Sequence, residues 1–170
     1  MNPRYPSIEL LAERARQRMP GFAHDYLSGG CMAEVNLHKN TSDIRAVELR
    51  PSYLRDYHGA SLKTSIFGRE YAMPFGIAPV GLQSLMWPKS CEILARTART
   101  HNIPFVLSTV TTASIEAVAK ITDGDFWFQL YHPADDSLRD KLLRRAADAG
   151  CQTLVLLADT PTFGYRPKEI

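Results

Sequence analysis

From residue 74 onward the chain alternates short, mainly apolar runs with longer stretches in which apolar residues recur every three or four positions. Four runs stand out, at 75–78, 104–107, 126–131 and 153–158. Runs this short, apolar on both alternating positions, predict strands of a parallel sheet buried on both faces. The fullest of them is Phe-Trp-Phe-Gln-Leu-Tyr, residues 126–131. Each run meets residues able to touch a ligand: Ala78-Pro79, Ser108-Thr109, Gln129 with Tyr131, and Asp159-Thr160. The intervening stretches predict helices. One starts at Lys89 or Ser90 and carries Ile93, Leu94, Ala95 and Ala98. A second starts near Ser114 and carries Ile115, Val118 and Ala119. The third spans 136–149, with Leu138, Leu142, Leu143, Ala146 and Ala149 on one face and Gly150 as its stop. Strand and helix alternating at this pace predict βαβ units. If the strands are neighbours, Ser108, Gln129, Tyr131 and Asp159 converge on one rim.

The first 70 residues have a different texture. Ser7 can cap a helix over 8–18, where Ile8, Leu11, Ala12 and Ala15 share a face and Pro20-Gly21 ends it. A short helix over 22–27 stops at Gly29-Gly30. A helix or turn follows over 33–39, then an irregular span to Pro51. Weak alternation over 61–66, with Gly68-Arg69 turning back into 70–72, predicts a small hairpin. This front segment is expected to be a cap on residues 71–170 within a single domain, the four strands there being either a small open sheet or half of a barrel.

The totals narrow the classes. A chain of 170 residues, 45% hydrophobic and 22% charged, is an ordinary globular composition. A net charge of +2, with no basic stripe among exposed aromatics, does not suggest nucleic acid as a partner. Cys31, Cys91 and Cys151 are odd in number and far apart, which suits a reducing compartment better than a disulfide framework. The five histidines have no metal-ligand spacing. Four strands fall short of the eight of a (β/α) barrel, and the chain is expected to be the N-terminal part of a longer one.

Taken together, an ordered set of motifs resembles the FMN-dependent α-hydroxy-acid dehydrogenases and oxidases. The set is Asp25-Tyr26-Leu27-Ser28-Gly29-Gly30, Met73-Pro74 with Ile77-Ala78-Pro79, Leu107-Ser108-Thr109, Ser114-Ile115-Glu116, Trp127-Phe128-Gln129-Leu130-Tyr131, Asp159-Thr160-Pro161 and Gly164-Tyr165-Arg166. The resemblance implies a (β/α)8 TIM barrel with FMN at its C-terminal rim. This chain would supply an N-terminal helical cap and about the first four strands. It also implies oxidation of a small 2-hydroxy acid, of the lactate, mandelate or glycolate kind, with reoxidation by a quinone, a cytochrome or oxygen. A homo-oligomer is expected at full length, in the cytoplasm or peripherally on the inner face of the cell membrane.

The same resemblance assigns roles. Tyr26 would hydrogen-bond the substrate carboxylate, and Tyr131 would sit near its hydroxyl. Asp159 would orient a histidine base, and Arg166 would favour the anionic substrate. Backbone at Ala78, Pro79 and Val80, with Ser108 and Gln129, would line the flavin. The histidine, a lysine near the flavin, a second arginine and the phosphate-binding loops are expected downstream, so this chain alone would be inactive. Three positions depart from the family pattern: Cys31-Met32-Ala33-Glu34 replaces an acidic cluster, Leu157 a threonine and Pro167 a glutamate.

On the residues alone the blander readings stay open. Gln129 could equally satisfy backbone between strands, Asp159 could cap a turn, and Arg166 could be solvated. Two other functions compete: a non-catalytic half-barrel remnant or interaction protein, and a complete flavodoxin-like domain. The second would need a hydroxyl- or glycine-rich loop after the first strand, where residues 80–87 are mostly apolar.

Overall fold

A computed structural model describes residues 5–158 and 164–169. The chain forms two compact units, residues 1–57 with 162–170, and residues 58–161.

The first unit is helical. α1 (Ile8–Arg18) is capped by the Ser7 hydroxyl, which accepts from the Leu10 N–H. No residue of α1 is buried, and Ile8 is 75% exposed. The periodicity therefore predicted the helix but not a partner for its apolar stripe. α2 (Gly21–Ser28) ends at Gly29, whose N–H donates to the Asp25 carbonyl. Gly29 has an ordinary φ of −84°. What it needs is space, since a Cβ there would lie 2.6 Å from the Asp25 oxygen. α3 runs Val35–Arg45, a turn and a half beyond the helix expected over 33–39. Asn40, Thr41, Ser42 and Asp43 in that extension are weak helix formers, and the polar composition hid the continuation.

The second unit opens with an antiparallel hairpin, β1 (Thr64–Ile66) and β2 (Arg69–Tyr71), pairing Thr64 with Tyr71. A parallel sheet follows, built of β3 (Val106–Ser108), β4 (Trp127–Leu130) and β5 (Thr153–Leu156) in that spatial order. Its register sets Ser108 beside Gln129 and Gln129 beside Val155. The first expected strand, 75–78, is reduced to one parallel bridge between Ile77 and Phe105. Gly76 explains how closely the chains meet there: a Cβ on it would lie 2.5 Å from the Pro104 carbonyl oxygen.

Between the strands lie α4 (Gln83–Met86), α5 (Ser90–His101), α6 (Ile115–Thr122) and α7 (Asp136–Asp148). α6 starts at the expected Ser114, whose hydroxyl accepts from the Ala117 N–H. α7 starts at the expected Asp136, with the Asp135 carboxylate accepting from the Ser137 N–H as its cap, and ends one residue short of the expected 149. Its C-cap is Ala149, and Gly150 follows in the left-handed region at φ 93°.

Alternation along the strands divides their residues between two faces. Phe105, Leu107, Phe126, Phe128 and Leu130 enter one apolar core with Cys91, Ala95 and Ala98 of α5, Ile115 and Val118 of α6, and Ala146 of α7. Val106, Ser108, Trp127 and Gln129 alternate with them and take the opposite face. At the N-terminal end of the strands, the Trp127 indole donates to the Tyr71 hydroxyl at 3.3 Å, and Arg69 pairs with Asp125 at 2.7 Å. Burial pushes the Asp125 carboxyl up, and the Arg69 charge opposes it.

α6 and α7 are also linked by a bidentate pair, Arg145 Nε to Glu116 Oε1 at 2.8 Å and Nη2 to Oε2 at 2.9 Å. The Arg145 hydrogen bonds, first among several causes, hold the Glu116 carboxyl down at about 2. A carboxyl lowered on folding stabilises above its unfolded value, and the contribution is lost as pH falls through the folded one. A carbon-detected titration should place the Glu116 midpoint near 2 and return it to the ordinary glutamate range in Arg145→Gln. An unchanged midpoint in that variant would show that the pair does not form in solution.

Candidate active site

The C-terminal ends of the parallel strands carry a connected polar group inside the second unit. Ser108 and Gln129 are register partners on one face, only 3% and 2% exposed. The Ser108 hydroxyl donates to Gln129 Oε1 at 3.1 Å and accepts from the Val110 N–H at 3.2 Å. Gln129 Nε2 is buried and has no hydrogen-bond partner among the described residues. An amide donor without a partner in a protein interior costs about 1–3 kcal/mol. Such an orphan at the mouth of a parallel sheet is what a ligand acceptor would satisfy. The isoalloxazine ring of FMN presents carbonyl and ring-nitrogen acceptors, so this donor fits that group.

Thr109 ties the same strand ends together. Its N–H donates to the Gln129 carbonyl at 3.0 Å, and its hydroxyl donates to the same oxygen at 2.5 Å. Tyr131 follows β4 and is 43% exposed; its N–H donates to the Thr109 hydroxyl at 3.2 Å. The first strand's exit is held nearby. The Leu82 N–H donates to the Val110 carbonyl at 2.9 Å, and the Ser84 and Thr112 hydroxyls are 2.6 Å apart. Leu82 reaches this position at φ 52°, a strained setting for a residue with a Cβ. Pro79 and Val80 are half-buried just before it, and Ala78 is exposed.

Tyr26 and Arg166 meet inside the first unit. The Arg166 guanidinium lies 5.1 Å from the centre of the Tyr26 ring. Its Nη2 donates to the Tyr26 carbonyl at 2.7 Å and the Gly29 carbonyl at 3.0 Å. A cation on the last carbonyls of a helix is favourably placed against the helix dipole. Arg166 is thus engaged at the end of α2, not solvated. The surrounding chain is bound as well: the Met32 N–H donates to the Tyr165 carbonyl at 2.9 Å, and Lys168 pairs with Glu34 at 2.7 Å. Glu34 also accepts from the Gly30 N–H at 3.0 Å. The Cys-Met-Ala-Glu departure from an acidic cluster therefore keeps one acid, and that acid is used.

The expected residues accordingly fall into two groups. Ser108, Gln129 and Tyr131 share one network, and Tyr26 and Arg166 share another. Asp159 lies outside the described residues. Two further polar residues, Thr109 half-buried and Gln83 buried, were not singled out from the sequence. Thr109 entered only as a neighbour of Ser108, because nothing in a strand-end threonine announces partners 20 and 22 positions away. Gln83 is 4% exposed with Oε1 unpartnered among the described residues, and it lies within the mostly apolar stretch 80–87.

The chain is similar to known proteins in sequence and in structure. The family described as FMN-dependent dehydrogenase matches residues 15–170. An L-lactate dehydrogenase of Pseudomonas syringae pv. syringae (strain B728a) is 41% identical over 155 residues, 91% of this chain and 41% of that protein. A 4-hydroxymandelate oxidase of Amycolatopsis orientalis is 36% identical over 166 residues, covering 98% and 46%. A crystal structure of mandelate oxidase superposes with a TM-score of 0.92 at 36% identity, covering 97% of this chain and 48% of that one. A mandelate oxidase mutant solved with a C4a-OH-FMN adduct superposes at 0.88, also 36% identical, covering 94% and 48%. The chain thus spans a little under half the length of these relatives, and the flavodoxin-like alternative is set aside by them. With its parallel strands, their helices and its match over residues 15–170, the chain belongs to the FMN-dependent dehydrogenase family, as a stretch of its TIM barrel.

Proposed function

We propose that the protein carrying this chain oxidises a small 2-hydroxy acid to the 2-oxo acid with FMN as its cofactor. The observation that carries the reading is the buried Ser108–Gln129 pair with its unpartnered Nε2 at the strand ends. Ser108, Gln129 and the backbone of Ala78, Pro79 and Val80 would hold the flavin ring. FMN, when bound, supplies the acceptor for the two electrons of the oxidised carbon. Tyr26 hydrogen-bonds the substrate carboxylate through its phenol, and Arg166 keeps positive charge beside that tyrosine. Tyr131 presents its phenol to the substrate hydroxyl from the open rim. Asp159 orients the histidine that takes the proton, as a carboxylate orients the base in hydrolytic triads. The histidine is assigned to residues outside this chain, so the 170-residue chain assayed alone is expected to be inactive. A quinone, cytochrome or oxygen reoxidises the flavin. The full-length protein works as a homo-oligomer, in the cytoplasm or on the inner face of the cell membrane.

The support lies in family membership and in relatives named for lactate and hydroxymandelate. The test is to express the natural polypeptide that contains this chain, load it with FMN and mix it anaerobically with L-lactate or a mandelate. A yellow protein whose flavin absorbance bleaches is the expected result. A colourless protein that takes up no FMN would overturn the reading and favour the non-catalytic half-barrel.

A further inference from the structure

The parallel ladder between β3 and β4 stops at the Ser108–Gln129 pair. Beyond it, among the described residues, the Tyr131 N–H meets no backbone carbonyl of the β3 strand. The Thr109 hydroxyl takes that place. It donates to the Gln129 carbonyl at 2.5 Å and accepts from the Tyr131 N–H at 3.2 Å. A hydroxyl can do both at once, because it is donor and acceptor together. The Thr109 N–H donates to the same Gln129 carbonyl at 3.0 Å, so side chain and main chain of one residue grip one oxygen. The branched Cβ restricts χ1 and holds the hydroxyl there.

We infer that Thr109 is a positioning residue: its hydroxyl extends the β3–β4 ladder by one residue and so fixes where Tyr131 and Gln129 stand at the rim. Both of its partners flank Leu130, which is 2% exposed and anchored in the core. The exposed Tyr131 has no such anchor of its own, and the Thr109 hydroxyl supplies it at the backbone. Thr109 touches neither substrate nor flavin in this account. The inference deepens the proposed function and rests on it where turnover is concerned, but the clamp itself is a property of the folded chain.

The test compares Thr109→Val, which keeps the shape and loses the hydroxyl, with Thr109→Ser, which keeps the hydroxyl. Both are made in the natural polypeptide that contains this chain. Amide hydrogen exchange without FMN is the first readout. Thr109→Val should speed exchange at Tyr131 about tenfold, the loss of one hydrogen bond of ordinary net strength. Thr109→Ser should leave it near the wild-type rate. Flavin reduction by L-lactate or a mandelate is the second readout. Thr109→Val should lower kcat by roughly ten- to a hundredfold, because misplacing a reacting group by a fraction of an ångström acts on the chemical step. KM should change less, and serine should restore the rate. Unchanged Tyr131 exchange in Thr109→Val overturns the inference. So does a loss of activity that serine fails to rescue, which would mark a steric role for the γ-methyl. If Thr109→Val does not fold, Thr109→Ala takes its place with the same exchange readout. A wild type that binds no FMN and bleaches with no hydroxy acid defeats the proposed function, while the exchange result still decides the clamp.

Discussion

Gln129→Met should weaken FMN binding by about ten- to a hundredfold, with little loss of stability in the flavin-free protein. The substitution keeps an unbranched chain of similar length and removes both polar atoms. Without flavin, the folded protein loses the Ser108–Gln129 hydrogen bond, a net contribution of about 1 kcal/mol. It also sheds the penalty of a buried Nε2 that has no partner, which is of similar or larger size. The two roughly offset. With flavin, the balance differs, because the amide donor would be satisfied and its removal would strand a buried acceptor on the ring at about 1–3 kcal/mol. Isothermal titration with FMN and urea unfolding of the flavin-free protein separate the two effects. A large stability loss with unchanged FMN affinity would show that Gln129 only satisfies the strands, the reading its residue type alone left equally open.

The largest effect on stability is expected one residue earlier. Phe128 is 1% exposed and lies in the core shared by β3, β4 and the three flanking helices. Phe128→Ala should destabilise by about 3–5 kcal/mol, from lost transfer free energy plus the cavity left behind. That is a large part of the margin of an ordinary domain. The same strand carries Gln129 on its other face, so loosening Phe128 also loosens the site. The midpoint and slope of urea unfolding measure the change. A loss below about 1 kcal/mol would mean that α5, α6 and α7 do not close over β4 as the structure has it.

Local chemistry explains why so much of the architecture was legible beforehand. Ser7 and Ser114 cap the helices they were expected to start, because a capping hydroxyl acts within three residues of itself. The strand positions followed from apolar runs too short for helices. The hairpin followed from Gly68, which stands at φ 79° in its turn. The first strand was overestimated: Phe75, Gly76 and Ile77 carry the apolar signal, yet the ladder there is a single bridge. Apolar character reports burial, not the number of ladder bonds. α3 was underestimated for the converse reason, since its polar second half has no stripe to read.

By itself the sequence determined where α1, α5, α6 and α7 start, the parallel βα order, the family and the residue types at the rim. Each of these depends on neighbours within a few positions or on motifs in a fixed order. Only the tertiary structure decided which residues those side chains and backbone groups meet. Ser108 and Gln129 are 21 positions apart and Thr109 and Tyr131 are 22 apart. Arg166 reaches across 140 positions to the Tyr26 carbonyl. Such partnerships arise from strand register and from the spare carbonyls at a helix end. Neither has a periodicity in the chain, because a hydrogen bond is set by distance in space and not by spacing along the sequence.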